Sequence, residues 1–154
     1  MAIRRIRVGA VILDRGRLLL MRRVKRGHEY IVFAGGGVER GETIRAALQR
    51  EIREEFSLEI EVGPVIVRRV NSGQLEYYFY VPAFRGQPKL GGEESLLHSE
   101  HNQYHPTWYP LHALPRLPIY PASVRWGVLR WLVKHGHAPA RLLAALPPIP
   151  RRAD

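Results

Sequence analysis

The chain has no cysteine. Disulfides and thiolate metal sites are therefore excluded, and a cytoplasmic protein is expected. It also has no run of about 18 or more apolar residues, which excludes a membrane-spanning helix. Acidic residues are scarce: 14 Asp and Glu stand against 24 Lys and Arg, for a formal net charge of +10. That imbalance favours anionic partners such as nucleotides, polyphosphates or RNA. The basic residues are spread along the chain rather than gathered in one tail, so no dedicated nucleic-acid arm is expected. No internal repeat is present. What remains is 154 residues, 45% of them hydrophobic, which suits one folded domain with one core. The opening MAIRRIRVGAVILDRG has basic and apolar residues like a signal peptide, but they are interleaved, the apolar run stops at Asp14, and no small-residue cleavage site follows.

Residues 3–13 and 17–24 read as a β-hairpin around the turn signal DRG, and EYIVFA (29–34) as a short strand running into a glycine-rich turn. Thr43 is a candidate N-cap for a helix ending near Phe56. LEIEVGPVIVRRV and LEYYFYVPAF are rich in strand formers and are joined by the turn NSGQ. Residues 85–103 read as a polar loop, and YHPTWYPL as a proline-interrupted edge strand. A second helix is expected from about Pro121 to Gly136. One short helix fits the segment before the Pro-rich basic end. The expected division is a domain over 1–137 and a tail over 138–154, the domain being a mixed sheet with helices on its faces.

The first helix raises a question of charge. At about 100° per residue, Leu48, Ile52 and Phe56 share one face with Ile44, and Glu51 and Glu55 fall inside that apolar sector, next to the core-facing residues. Arg53 and Ala46 point the other way. A purely solvated face would show the reverse arrangement. Two carboxylates four residues apart are neighbours at about 6 Å and repel by roughly 3 kcal/mol at an effective dielectric of about 20. Glu54 adds to the cluster. Arg50 can pair with Glu54 one turn on, which leaves Glu51 and Glu55 to each other. Either a proton or a cation relieves them, and a hard divalent ion with oxygen ligands, Mg²⁺ or Mn²⁺, suits the donors. The alternative is a helix laced with Arg–Glu pairs. Gly35, Gly36 and Gly37 let the backbone approach a ligand closely. Beside the carboxylates they point to phosphate chemistry.

Gly36, Glu42, Arg50, Glu51, Ile52, Glu54, Glu55 and Leu58 stand at the spacing G-x5-E-x7-R-E-U-x-E-E-x-G-U, where U is aliphatic. This resembles the Nudix box. Ser57 departs from it, because the family usually has glycine there, and Ala34 stands where proline is common. The resemblance implies an α/β/α sandwich around a central mixed β-sheet. It implies hydrolysis of a nucleoside diphosphate linked to another moiety. It further implies Glu51, Glu54, Glu55 and the Gly36 carbonyl as metal ligands, one glutamate doubling as base, and Glu42 and Arg50 as residues that orient loop and helix. A later-loop acid is also expected: Glu93, Glu94 and Glu100 lie in such a loop, and Glu100 is the candidate, with a solvated acid as the alternative. Arg22 and Arg23 end a strand where the family places a phosphate-binding arginine, and strand alternation lets only one face the site. Gly35 and Gly37 complete the substrate loop.

Other residues leave alternatives open. Tyr30 either stacks on a base or is a buried strand tyrosine. Half of the run Tyr77–Tyr80 must face the core, and the rest face substrate or a partner chain, as in a homodimer. His98, His101 and His105 have loose spacing and no fixed acidic partner, which argues against a zinc site. The proline that marks ADP-ribose hydrolases is absent at Ser72 and its neighbours, and Tyr77 comes late for the tyrosine of dinucleoside polyphosphate hydrolases. A small nucleotide is the expected substrate. Processing of RNA 5′ ends and non-catalytic nucleotide sensing are the alternatives, and no RNA-binding motif supports the former.

Overall fold

The computed structural model describes residues 2–91 and 97–148. Strands β1 (Arg5–Asp14) and β2 (Arg17–Lys25) form the expected hairpin, followed by β3 (His28–Val32) and β4 (Gly35–Gly37). Helix α1 (Ile44–Phe56) follows, then β5 (Glu59–Glu61), β6 (Val65–Asn71), β7 (Gln74–Val81), β8 (Ala83–Arg85) and β9 (Asn102–Pro110). A 3₁₀ helix (Leu111–Arg116), helix α2 (Ala122–Lys134) and the single turn α3 (Arg141–Ala144) complete the chain. The three glycines are therefore a strand and not the expected turn. They pair antiparallel with β1, with Val8 opposite Gly36.

The main sheet runs β3-β2-β1-β7-β6, with β4 on β1 and β9 on β2, and β5 and β8 form a separate pair. β1 and β7 are parallel and the other pairs antiparallel, so the sheet is mixed. β9 pairs along its length with β2 alone among the described strands, as its prolines require. Three two-residue turns, Arg15-Gly16, Arg26-Gly27 and Ser72-Gly73, join hairpin strands with positive φ at both positions. That is the mirror-image turn whose twist matches the strands.

Alternation along β1 and β2 sorts side chains to two faces. Ala10, Ile12, Leu19 and Met21 meet Leu48, Ile52 and Phe56 of α1. Val11, Leu18 and Leu20 meet Val124, Val128 and Leu132 of α2. Sheet and helices thus make three layers, α/β/α. Leu142 and Leu146 are buried in the α2 layer, and Trp126 Nε1 donates to the Pro147 carbonyl at 2.9 Å. The segment beyond residue 137 accordingly packs on the domain as far as it is described. Among the described residues no helix is long and apolar enough to cross a membrane.

Thr43 caps α1, its Oγ1 accepting from Ala46 N at 3.1 Å. Ser57 ends the helix in the left-handed region at φ 58°, where a side chain costs about 1–2 kcal/mol and glycine costs little. Ser57→Gly is expected to raise stability by about 0.5–1 kcal/mol, net of the freedom glycine adds to the unfolded chain. Denaturant titration checks this as a higher midpoint at unchanged slope.

Candidate active site

Helix α1 and strand β4 bring the first group of residues together. Glu55 is buried on α1, and its Oε2 accepts from Gly35 N at 2.9 Å. The Glu51 carboxylate lies directly against Gly36, where any side chain would overlap it. Glu54 is half exposed. The burial order follows the helical wheel: Glu55 inward, Glu51 at the border, Glu54 outward.

Arg50 organises these acids more fully than the sequence suggested. It grips Glu42 with two bonds, Nε to Oε2 at 2.8 Å and Nη2 to Oε1 at 2.9 Å. Nη2 also donates to the Gly37 carbonyl at 3.0 Å. Nη1 reaches Glu51 at 2.9 Å and Glu54 at 3.3 Å. Glu51 is thus paired, and the expectation that Arg50 would relieve Glu54 alone is corrected. The planar fork serves several acceptors at once, which an isolated i,i+4 pair does not.

The hydrogen bond from Arg50, and after it the Glu39 N–H, holds the Glu42 carboxyl down at about 2 from its ordinary 4.5. A depressed carboxyl contributes stability that is complete above the unfolded value and lost as pH falls toward the folded one. Wild type should therefore lose melting temperature between about pH 4.5 and about pH 2. Melts of Glu42→Gln over the same range should show a shallower loss.

Gly35, Gly36, Gly37, Glu51 and Glu55 line a cavity of about 550 Å³, whereas Glu42, Arg50 and Glu54 are not among its lining residues. Arg23 and Tyr30 line it too. Arg22 does not, and pairs with Glu29 at 3.6 Å. The Arg23 guanidinium lies 3.7 Å from the centre of the Tyr104 ring and 5.6 Å from that of Tyr30, and donates to Asn102 Oδ1 at 2.6 Å. Its guanidinium is therefore held in place by these contacts.

Glu100 is not brought to the cavity. It is exposed in the turn between Ser99 and Asn102, where the His101 carbonyl accepts from Arg26 N just past β2. Glu93 and Glu94 lie outside the described residues. His98 and His105 meet edge to face at 5.5 Å. Burial, and after it the Arg22 charge, pushes the His105 imidazole below its ordinary value.

The sequence reading missed other lining residues, Arg5, Arg7, Arg69, Asn71, Gln74, Glu76, Tyr104 and Tyr120, while Tyr78 comes from the aromatic run it had left open between core and substrate. Polar alternation in β6 and β7 was the available signal. Burial, and after it the Glu76 charge, pushes the Tyr78 hydroxyl up to about 12, so at neutral pH it is neutral.

Among the described residues no three His, Asp or Glu side chains are already gathered into a metal cage. The donors nevertheless fit a hard cation. Glu51, Glu54 and Glu55 present only oxygen, and Gly36 admits the Glu51 carboxylate against the backbone. Small divalent ions bind through one or two carboxylates, waters and substrate phosphates rather than a closed protein cage.

The NUDIX domain matches residues 3–132. The chain belongs to the Nudix family. It is 37% identical to the CTP pyrophosphohydrolase of Escherichia coli (strain K12) over 99 residues, 60% of this chain and 73% of that protein. The solution structure of the E. coli ORF135 protein superposes with a TM-score of 0.65 at 28% identity, covering 88% of this chain and 94% of that one. A MutT structure from a study of Aliivibrio salmonicida and Vibrio cholerae gives 0.66 at 21% identity, covering 85% and 98%, and at that identity it supports the fold alone. As a Nudix hydrolase, the chain is a nucleotide pyrophosphohydrolase acting on phosphoric anhydrides. Nudix hydrolases generally use divalent metals.

Proposed function

We propose that this Nudix enzyme uses Mg²⁺ or Mn²⁺ to cleave CTP, the nucleotide named for its E. coli relative, to CMP and pyrophosphate. The observation that carries the reading is the meeting of Glu51 and Glu55 with the glycine strand in one arginine-lined cavity. Glu51, Glu54, Glu55 and the Gly36 carbonyl would hold the ion. When bound, the ion polarises phosphoryl oxygens and neutralises charge on the leaving phosphate. Arg23, fixed between two tyrosines, binds the phosphate chain. Arg50 holds Glu51 and Glu54 in register with the Gly37 carbonyl. Water attacks one phosphorus, the P–O–P bridge breaks, and a glutamate of the set takes the proton. A cytoplasmic setting and a small-molecule partner belong to the same reading.

The test is a panel of nucleoside triphosphates, nucleoside diphosphate derivatives and 5′-triphosphorylated RNA, each with Mg²⁺ and with chelator. CMP and pyrophosphate formed from CTP only with metal are expected. Cleavage of the RNA alone would move the assignment to 5′-end processing, and binding without cleavage of any compound would make the chain a sensing module.

A further inference from the structure

The wall opposite α1 is a lattice set by strand register. β1 runs parallel to β7 with Arg5 opposite Gln74 and Arg7 opposite Glu76. β6 lies on the other side of β7 with Asn71 opposite Gln74 and Arg69 opposite Glu76. Two rows result, Arg5–Gln74–Asn71 and Arg7–Glu76–Arg69, and all six residues line the cavity. Arg7 is also the partner of Gly37 in β4. Glu76 thus lies two strand spacings, roughly 10 Å, from the glycine strand beside the acidic helix.

Three arginines on one wall of a cavity for phosphorylated substrates need no special account. Glu76 does. It is only 7% exposed, and an anion buried beside a polyphosphate is unfavourable both for its desolvation and for its repulsion of the ligand. Its Oε2 is sealed, with Arg69 Nη1 at 3.2 Å and no hydrogen bond of its own. Its Oε1 accepts from Gln74 Nε2 at 2.8 Å, and a carboxylate oxygen has room for a second donor. A carboxylate fixed from two sides, in a wall a nucleoside's reach from the phosphate end, suits a ligand part that is neutral and carries N–H donors.

We infer that Glu76 determines base specificity, its carboxylate accepting a hydrogen bond from the exocyclic amino group of the nucleobase. This rests on the pyrophosphohydrolase reading above. Cytosine offers an N4 amino donor, and carboxylates pair with it, whereas uracil presents the O4 acceptor at the same place. Two acceptors facing each other in a buried site repel, and a bond to a charged group is among the stronger ones. The selected substrates are amino-bearing nucleotides over their keto counterparts.

The experiment compares kcat/KM for CTP and UTP in wild type and Glu76→Gln, with melting temperatures for both. Wild type is expected to prefer CTP by about tenfold to a hundredfold. In Glu76→Gln the ratio should fall toward one, because an amide can turn either a donor or an acceptor to the base. A purely structural pairing with Arg69 would lower both substrates together and leave the ratio unchanged, which would overturn the inference. Calorimetric binding of CMP and UMP without metal gives an independent readout. If no triphosphate is hydrolysed, the proposed function fails, but tighter CMP binding that is lost in Glu76→Gln would still support the role of Glu76, and equal affinities in wild type would overturn it. Should Glu76→Gln not fold, Glu76→Asp keeps the charge and withdraws it by one methylene. A reduced CMP preference in that variant supports the assignment, and an unchanged one overturns it.

Discussion

Glu55→Gln is expected to cut hydrolysis by about 10²–10⁴-fold while leaving the melting temperature in chelator unchanged or slightly raised. The two effects separate because of what Glu55 touches. Gly35 N donates to its carboxylate, and glutamine keeps an oxygen for that bond. The charge is lost, and with it both the proposed hold on a cation and the repulsion from Glu51 one turn away. Glutamine keeps the volume of the buried side chain, whereas alanine would open a void. The check is a pair of measurements, thermal melts in chelator and turnover at saturating Mg²⁺. Normal turnover would remove Glu55 from the site. An unfolded variant would mean that its charge holds α1 in place.

Arg50→Met should lower the melting temperature by roughly 5–10 °C, the range for a broken partly buried network in a domain of this size. Glu42, Glu51, Glu54 and the Gly37 carbonyl all lose a donor together. Methionine fills the space of the stem, so the loss reports the guanidinium. Turnover should fall as well, because Glu51 and Glu54 lose the group that positions them. Arg50→Lys should recover part of the melting temperature, since one ammonium cannot reproduce the two-bond grip on Glu42. Differential scanning calorimetry of the three proteins checks this, and an unchanged melting temperature for Arg50→Met would show that the network is only superficial.

The site's acidic half was legible because a helix writes its neighbours into local spacing. Residues 48, 51, 52 and 55 meet by periodicity alone, and the structure places them as the wheel does. Strand alternation likewise limited Arg22 and Arg23 to one inward residue, and the face shared with Met21 makes it Arg23. The other half depends on pairing between distant strands. Alternation in β7 puts Gln74, Glu76 and Tyr78 on one face, but nothing local says that Arg7, about seventy residues earlier, lies beside Glu76. The glycine strand was read as a turn for the same reason, because its partner Val8 is remote in sequence. Glu100 is absent from the cavity lining and exposed in the Ser99–Asn102 turn, a placement that loop composition does not encode.

The central claim is that the α1 carboxylates hold a divalent cation for phosphate chemistry. Titration of Mn²⁺ into wild type and Glu54→Gln, read by electron paramagnetic resonance of the free ion, tests it most directly. Glu54 is half exposed and makes one 3.3 Å bond to Arg50, so its replacement should leave the fold intact. Weaker binding in the variant is the predicted result. Equal affinity in the two proteins would contradict it.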